Sequence, residues 1–226
     1  MTQKLNMKQA RSLLMLSLML LAITTIVIVS ASIRAPPYAN AKVNYLAFEN
    51  AIADASAEPG YGRAYLYGLV DIPPGIGGFG QAISKVKFNA NPPPGNSPTT
   101  TFIPYVYAES YFHIKGSIDT DGAYAYIALE TQVYVYKSNS WSYYDTAGYL
   151  VFHEGDYNEG HDVGGYVEIN DPNVEKITVI PFIKTEVYGY CDGSITVCPH
   201  IQGVANFYIN GYPYNYVYVP YIELSP

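Results

Sequence analysis

The stretch AYAYIALETQVYVYK, residues 123–137, decides the fold of this chain. Its odd positions are Ala123, Ala125, Ile127, Leu129, Thr131, Val133 and Val135, and its even positions include Tyr124, Tyr126, Glu130, Gln132, Tyr134 and Tyr136. Successive side chains of a strand point to opposite faces, so one face here is aliphatic and the other carries tyrosine and polar groups. A helix, with 3.6 residues per turn, would scatter both sets around its circumference. The pattern predicts a strand buried on one side. The run is long against the usual five or six residues, which predicts a bend or a long twisted ribbon.

The same period continues on either side. In residues 105–114, Val106, Ala108, Phe112 and Ile114 oppose Tyr105, Tyr107, Glu109, Tyr111 and His113. In residues 212–223, Tyr212, Tyr214, Tyr216 and Tyr218 lie together, with Val217 and Val219 opposite. Residues 174–190 set Ile177, Val179, Ile183 and Val187 against Lys176, Thr178, Lys184, Glu186 and Tyr188; Pro181 interrupts them and predicts an edge position or a bulge. Shorter strand candidates are residues 64–72, 82–88, 143–153, 163–169 and 204–209. Turn signals separate them: Pro73-Pro74-Gly75, Pro92-Pro93-Pro94-Gly95, Asp119-Thr120-Asp121-Gly122, Asp171-Pro172-Asn173 and Asn210-Gly211. About nine or ten strands at this spacing predict an all-β domain, an antiparallel β-sandwich or jelly roll. Residues 43–57 are ambiguous. Val43, Tyr45 and Ala47 alternate as in a strand, whereas residues 46–53 would suit a short helix.

Ahead of this domain stands a different kind of segment. Lys4, Lys8 and Arg11 precede residues 12–33, which carry no charge. That is the layout of an export signal, and the run is long enough to span a bilayer as a hydrophobic helix. The basic residues would keep the N-terminus in the cytoplasm and send the rest outward. Cleavage candidates are Ala39-Asn40-Ala41 and Val29-Ser30-Ala31; an uncleaved signal anchor and a pilin-type cut after Arg11 are the alternatives. Residues 1–41 thus divide off as a signal peptide or signal anchor with a short linker. Residues 42–62 form an extended or short helical segment, and residues 63–226 the Tyr-rich β domain. Membrane contact is expected only through residues 12–33, and the domain is expected outside the cell or on its surface.

Charge narrows the function classes. The chain has a formal charge of −7, 14% charged residues and 25 tyrosines. Four of the twelve basic residues precede residue 42 and all nineteen acids follow it, so residues 42–226 carry eight against nineteen, a net of −11. Nucleic-acid binding rests on basic patches and is excluded by this balance. Calcium, cationic partners or simple solubility remain compatible with it.

Few residues point to chemistry. Cys191 and Cys198 are the only cysteines, and outside the cell so close a pair is expected to form a disulfide, contributing about 2–3 kcal/mol. His153, Glu154, Asp156, Glu159, His161 and Asp162 form the densest polar cluster, which is either a solvated hairpin loop or a metal site. Asp119 and Asp121 resemble the start of a calcium loop without its closing glutamate, and a tight turn explains them equally. No G-x-S-x-G elbow, H-E-x-x-H helix or phosphate loop occurs. The tyrosine rows, Tyr124, Tyr126, Tyr134 and Tyr136 in one segment and Tyr212, Tyr214, Tyr216 and Tyr218 in another, are the distinctive feature. They suit cross-strand packing on a half-exposed sheet, stacking on sugars or a subunit interface.

The export signal, small-residue junction, Tyr/Val/Ile-rich β domain and detachable segment over residues 42–57 together resemble the secreted surface-filament subunits of archaea, the thread and bundling-pilus proteins. The resemblance is one of organisation over the whole chain. It implies that Val43, Tyr45 and Ala47 form a strand donated to the next subunit. The first expectation is therefore a non-enzymatic, self-assembling cell-surface or filament protein. The alternatives are a glycan-binding module or adhesin using a tyrosine face, and a secreted metal-dependent hydrolase built on the cluster between His153 and Asp162. Expected partners are copies of itself or cell-surface glycans, and calcium is the one cofactor the acids suggest.

Overall fold

The computed structural model describes residues 33–34, 40–75, 77–89, 105–192, 198–208 and 215–225. The apolar run of residues 12–32, the second proline turn and Tyr212 and Tyr214 lie outside them. Thirteen strands are formed: β1 (Ile33–Arg34), β2 (Asn40–Glu49), β3 (Ala51–Glu58), β4 (Arg63–Ile72), β5 (Gly78–Asn89), β6 (Tyr105–Asp121), β7 (Tyr124–Lys137), β8 (Ser140–Phe152), β9 (Gly155–Glu168), β10 (Lys176–Cys191), β11 (Ile201–Phe207), β12 (Tyr216–Tyr218) and β13 (Ile222–Ser225). A single 3-10 turn, Pro59–Tyr61, is the one helical element among the described residues. Among them no helix is long and apolar enough to cross a membrane.

Every strand ladder is antiparallel, and two sheets pack face to face. The five-stranded sheet runs β2-β5-β10-β7-β8. In the eight-stranded sheet, β6 is flanked on one side by β9 and on the other successively by β13, β12 and β11; β4 follows, with β3 at the far edge, and β1 pairs β13. The chain changes sheet at Asn50 between β2 and β3, and at His153-Glu154 between β8 and β9. Both margins of the sandwich are thereby closed by covalent crossings.

Period-two patterning builds the core. Along β7, Ala125, Ile127, Leu129, Thr131, Val133 and Val135 are buried, and β6 alternates from Val106 to Ile118. Phe88, Phe112, Phe207, Leu66, Ile127, Leu129 and Ile183 meet between the sheets without solvent exposure. Polar threads cross the same space: Ser84 Oγ donates to the Tyr67 carbonyl (2.7 Å) and Thr131 Oγ1 to that of Val163 (2.5 Å). Each joins one sheet to the other. The β7–β8 hairpin turns on Ser138 (φ 50°) and Asn139 (φ 61°), the left-handed pair that a two-residue turn between twisted strands requires.

Several expectations change. Residues 46–53 are not helical but the end of β2 and the start of β3, because pairing along the two sheet edges outweighs local helix propensity. Of a bend or a long ribbon, β7 is the unbroken long strand; the irregularity falls on β8, where Ala147 and Tyr144 are extra residues in the ladder. Pro181 lies in an interior strand, but the β5 ladder begins only at Phe182, so β10 is locally an edge at that proline. Residues 155–162 are not a hairpin loop but the first half of β9, zipped to β6 from Ile118 to Tyr111. Their glycines permit close approach. A Cβ on Gly160 would strike the Tyr111 hydroxyl, and one on Gly164 would stand 2.4 Å from the Ala108 oxygen. Likewise, a Cβ on Gly148 of β8 would stand 2.4 Å from the Gly164 nitrogen, so the sheets touch backbone to backbone there. Of the two readings of residues 43–57, the strand holds at Val43, Tyr45 and Ala47, which lie in β2, paired with β5 from Asn40 to Glu49.

Candidate functional site: the outer face of the five-stranded sheet

Directly opposed residues of a ladder share a face, so register assigns each outward side chain. From β2 come Lys42, Asn44, Leu46 and Phe48, facing Lys87, Lys85, Ile83 and Gln81 of β5. Phe182, Lys184, Glu186, Tyr188 and Tyr190 of β10 follow, then Tyr124, Tyr126, Glu130, Gln132, Tyr134 and Tyr136 of β7. Trp141, Tyr143 and Tyr149 of β8 complete the face, opposite Tyr136, Tyr134 and Glu130.

The aromatic rings gather at two ends. At one, Tyr124 and Tyr188 are directly opposed; Tyr124 packs on Tyr126 (5.8 Å between centroids) and His153 (5.4 Å), and Phe79 meets Tyr188 edge-on at 5.4 Å. At the other, Tyr134 packs on Tyr143 (5.7 Å) and Tyr136 on Trp141 (5.3 Å), with the Lys87 ammonium over the Tyr134 ring at 3.8 Å. Leu46, Phe48, Tyr124, Trp141, Tyr143, Tyr149, Tyr188 and Tyr190 remain exposed, most of the exposed large apolar side chains described in the molecule.

Between these ends lies an ordered polar strip. Glu186 accepts from Gln81 Nε2 (2.6 Å) and from the Tyr126 hydroxyl (2.7 Å), and pairs with Lys184 at 2.6 Å. Lys184 also donates to the Tyr126 oxygen at 2.6 Å. Burial disfavours the Glu186 anion, but hydrogen bonds from Lys184, Tyr126 and Gln81 outweigh it and hold the carboxyl below its ordinary value. Lys184 is affected in the complementary sense: burial lowers it, while Glu186 and Tyr126 raise it further. Burial raises the Tyr126 hydroxyl above its ordinary value. Gln132 Nε2 donates to Glu130 (2.8 Å) on the same strand. At the β7 end the face runs into an open hollow of about 520 Å³ lined by Lys137, Ser138, Pro172, Asn173, Val174 and Glu175.

The described tyrosines of the second row do not share this surface. Tyr216 and Tyr218 belong to β12 and lie on the opposite side of the sandwich, across from Lys115 and His113. That outer face is aromatic too: Tyr107 packs on Tyr166 (5.1 Å), Tyr111 stacks on Tyr221 (5.6 Å), and Arg63 lies over Tyr216 (5.5 Å), with Tyr105 and Tyr166 exposed. It is also acidic. The Tyr107 hydroxyl is pushed up to about 12 by its hydrogen bond to Glu109, by burial and by the charges of Glu109, Glu223 and Asp162.

The polar cluster between His153 and Asp162 is split by its strand geometry. Glu154 accepts from Thr120 Oγ1 (3.1 Å) in the turn. Glu159 and His161 approach to 3.3 Å on one face of β9, whereas Asp156 and Asp162 alternate onto the other, with Asp162 accepting from the Tyr221 hydroxyl at 3.4 Å. Asp119 and Asp121 end β6 as exposed strand residues rather than forming the turn, which falls at Gly122. Among the described residues no three His, Cys, Asp or Glu side chains are grouped to hold a metal ion. Cys191 and Cys198 are joined by a disulfide, with Cα atoms 6.1 Å apart.

Sequence reading missed Trp141, Tyr143, Tyr149 and Tyr190 as members of the face. Trp141, Tyr143 and Tyr149 share odd parity, which survives because the extra residues Tyr144 and Ala147 shift the register twice; the strand candidate began only at residue 143, which left Trp141 out. Tyr190 continued the polar side of β10 and was legible there.

No protein-family model matches the sequence, and no characterised protein matches it in sequence. Solved structures with similarity include carbohydrate-binding modules. One is a family 11 module from Clostridium thermocellum in complex with a β-1,3-1,4-mixed-linked tetrasaccharide, 8% identical over 78% of this chain and 88% of that one, with a TM-score of 0.26. Another is the C-terminal family 22 module of Clostridium thermocellum Xyn10B, 15% identical over 74% and 88%, with a TM-score of 0.23. A third comes from work on promiscuous specificity in modules of the β-sandwich superfamily, 10% identical over 79% of this chain and a TM-score of 0.24; there the chain spans 56% of the matched length. At these scores the backbones diverge, and no residue role passes from those modules to this chain.

Proposed function

We propose that this domain is an extracellular, non-enzymatic carbohydrate-binding module whose site is the outer face of the five-stranded sheet. The observation that carries the reading is the arrangement of that face: exposed rings at both ends and a pre-ordered Gln81–Glu186–Tyr126–Lys184 strip between them. A pyranose presents an apolar C–H face, which suits an aromatic ring, and a rim of hydroxyls, which suits fixed donors and acceptors. From Tyr126 to Tyr134 along β7 the face extends about 26 Å at the usual strand rise, the length of an oligosaccharide rather than a single sugar. Carboxylate, amide, ammonium and phenol groups on the strip suit the hydroxyls of a glycan, and the Glu186 and Lys184 charges neutralise each other there.

The test is a glycan array followed by affinity electrophoresis in soluble polysaccharides, using the wild type, Tyr124→Ala/Tyr188→Ala and Tyr166→Ala. Binding is expected in the wild type and in Tyr166→Ala, and to be lost in the double variant. An array with no binding at all, or a double variant that binds like the wild type, would remove the reading.

A further inference from the structure

A β-sandwich has four edge strands, each presenting unpaired backbone groups unless something blocks them. Three edges here carry such protection. β8 is distorted by its two register shifts against β7. β9 carries Asp156, Glu159, Asp162 and Glu168, so two copies would repel along it. β3 is eight residues long, carries Asp54 and Glu58 and runs directly into Pro59.

β2 has none of these features. It is ten residues long, contains neither proline nor glycine, and pairs with β5 without a register shift. Its only charges, Lys42 and Glu49, cancel. No described strand pairs with its other edge. Apolar side chains are exposed on both of its faces: Tyr45 (56%) on the inner side, Leu46 (47%) and Phe48 (43%) on the outer. The net charge of −11 on residues 42–226 makes most of the surface self-repelling, and this neutral strip is where two copies can approach.

We propose that two copies of this chain pair through β2, antiparallel, about a two-fold axis normal to the sheet at Tyr45, forming one continuous ten-stranded sheet. This register sets Tyr45 against Tyr45 of the second copy, Val43 against Ala47, Asn44 against Leu46 and Lys42 against Phe48, so no like charges are opposed. Exposed apolar surface on both sides of β2 is covered by the same contact, and the outer faces of the two sheets become one. The pairing is closed and isologous, so it yields dimers rather than an open filament. It does not depend on what the outer face binds. A single strand pair is small for a protein interface, so the dimer is expected to be concentration-dependent.

The experiment uses the full chain in mild detergent. The sequence has only the two cysteines of the disulfide, so Tyr45→Cys introduces the one free thiol. Under mild oxidation Tyr45→Cys is expected to form covalent dimers at least tenfold faster than Tyr149→Cys, a site of similar exposure on the bulged edge (58%). In sedimentation, Tyr45→Lys alone and Tyr45→Glu alone are expected to lose the dimer, and an equimolar mixture of the two to regain it. Equal crosslinking at both sites, or association indifferent to the residue at position 45, would overturn the proposal; the latter would place association in another segment, such as residues 12–33.

Discussion

Replacing Tyr124 by alanine removes a ring that is 54% exposed at the aromatic end of the proposed glycan face. An aromatic side chain offers about 150–250 Å² for burial, so about 80–135 Å² of Tyr124 is available to a ligand. A sugar stacks on one side of the ring and covers about half of that. At about 25 cal/mol/Å² the lost contact amounts to about 1–1.7 kcal/mol, a five- to twentyfold weaker Kd. The same reasoning for Tyr188, 39% exposed, predicts about 0.7–1.2 kcal/mol and a three- to eightfold loss. The two rings are directly opposed on neighbouring strands and would touch the same stretch of ligand, so their effects are not independent. Their sum, a loss of about twenty- to a hundredfold, is therefore the ceiling for the double variant, measurable by titration calorimetry with the best array ligand. Stability should hardly change, because neither ring belongs to the core; a thermal melt checks this. Tyr166 is more exposed still (76%) but lies on the opposite sheet, and its alanine variant should bind like the wild type. Weakened binding in Tyr166→Ala with unaltered binding in Tyr124→Ala/Tyr188→Ala would refute the assignment of the face.

Further outcomes follow from the core and the polar strip. Phe207→Ala empties a fully buried site between the sheets and is expected to cost about 3–5 kcal/mol in urea denaturation, whereas a cost below about 1 kcal/mol would deny Phe207 its core position. Gly164→Val places branched carbon where even a Cβ would stand 2.4 Å from the Ala108 oxygen, and should lower stability by about 2 kcal/mol or more while Gly60→Ala, whose Cβ meets nothing, stays within about 0.5 kcal/mol. Glu186 has a folded pKa held below its ordinary value: burial opposes the charge, but the hydrogen bonds from Lys184, Tyr126 and Gln81 outweigh it. The unfolded chain therefore takes up the proton first. Its stabilisation is full above the unfolded pKa of about 4.3 and is lost as pH falls through the folded value. The stability gap between wild type and Glu186→Gln should be widest near neutral pH and narrow below about pH 4; an equal gap at about pH 7 and pH 3 would contradict the network.

The sequence by itself determined the β class, the inward set of nearly every long strand and the disulfide. Ala125, Ile127, Leu129, Val133 and Val135 are buried as their alternation required, and so are Val106, Phe112, Ile177 and Val187. These are local properties: a strand's two faces follow from the backbone pleat, whatever lies beside it. Only tertiary structure decided that the Tyr124–Tyr136 row and Tyr216–Tyr218 face opposite ways, since that depends on which sheet each strand joins. It also decided that the glycine- and acid-rich run before Val163 is a strand. Gly160 looks like a loop residue until β6 is brought against it, where a side chain would collide with Tyr111. The unguarded edge of β2 is legible only by comparison with the other three edges. Strand neighbours are set by hydrogen-bonded pairing between segments far apart in the chain, and that pairing has no signature in the period of any one of them.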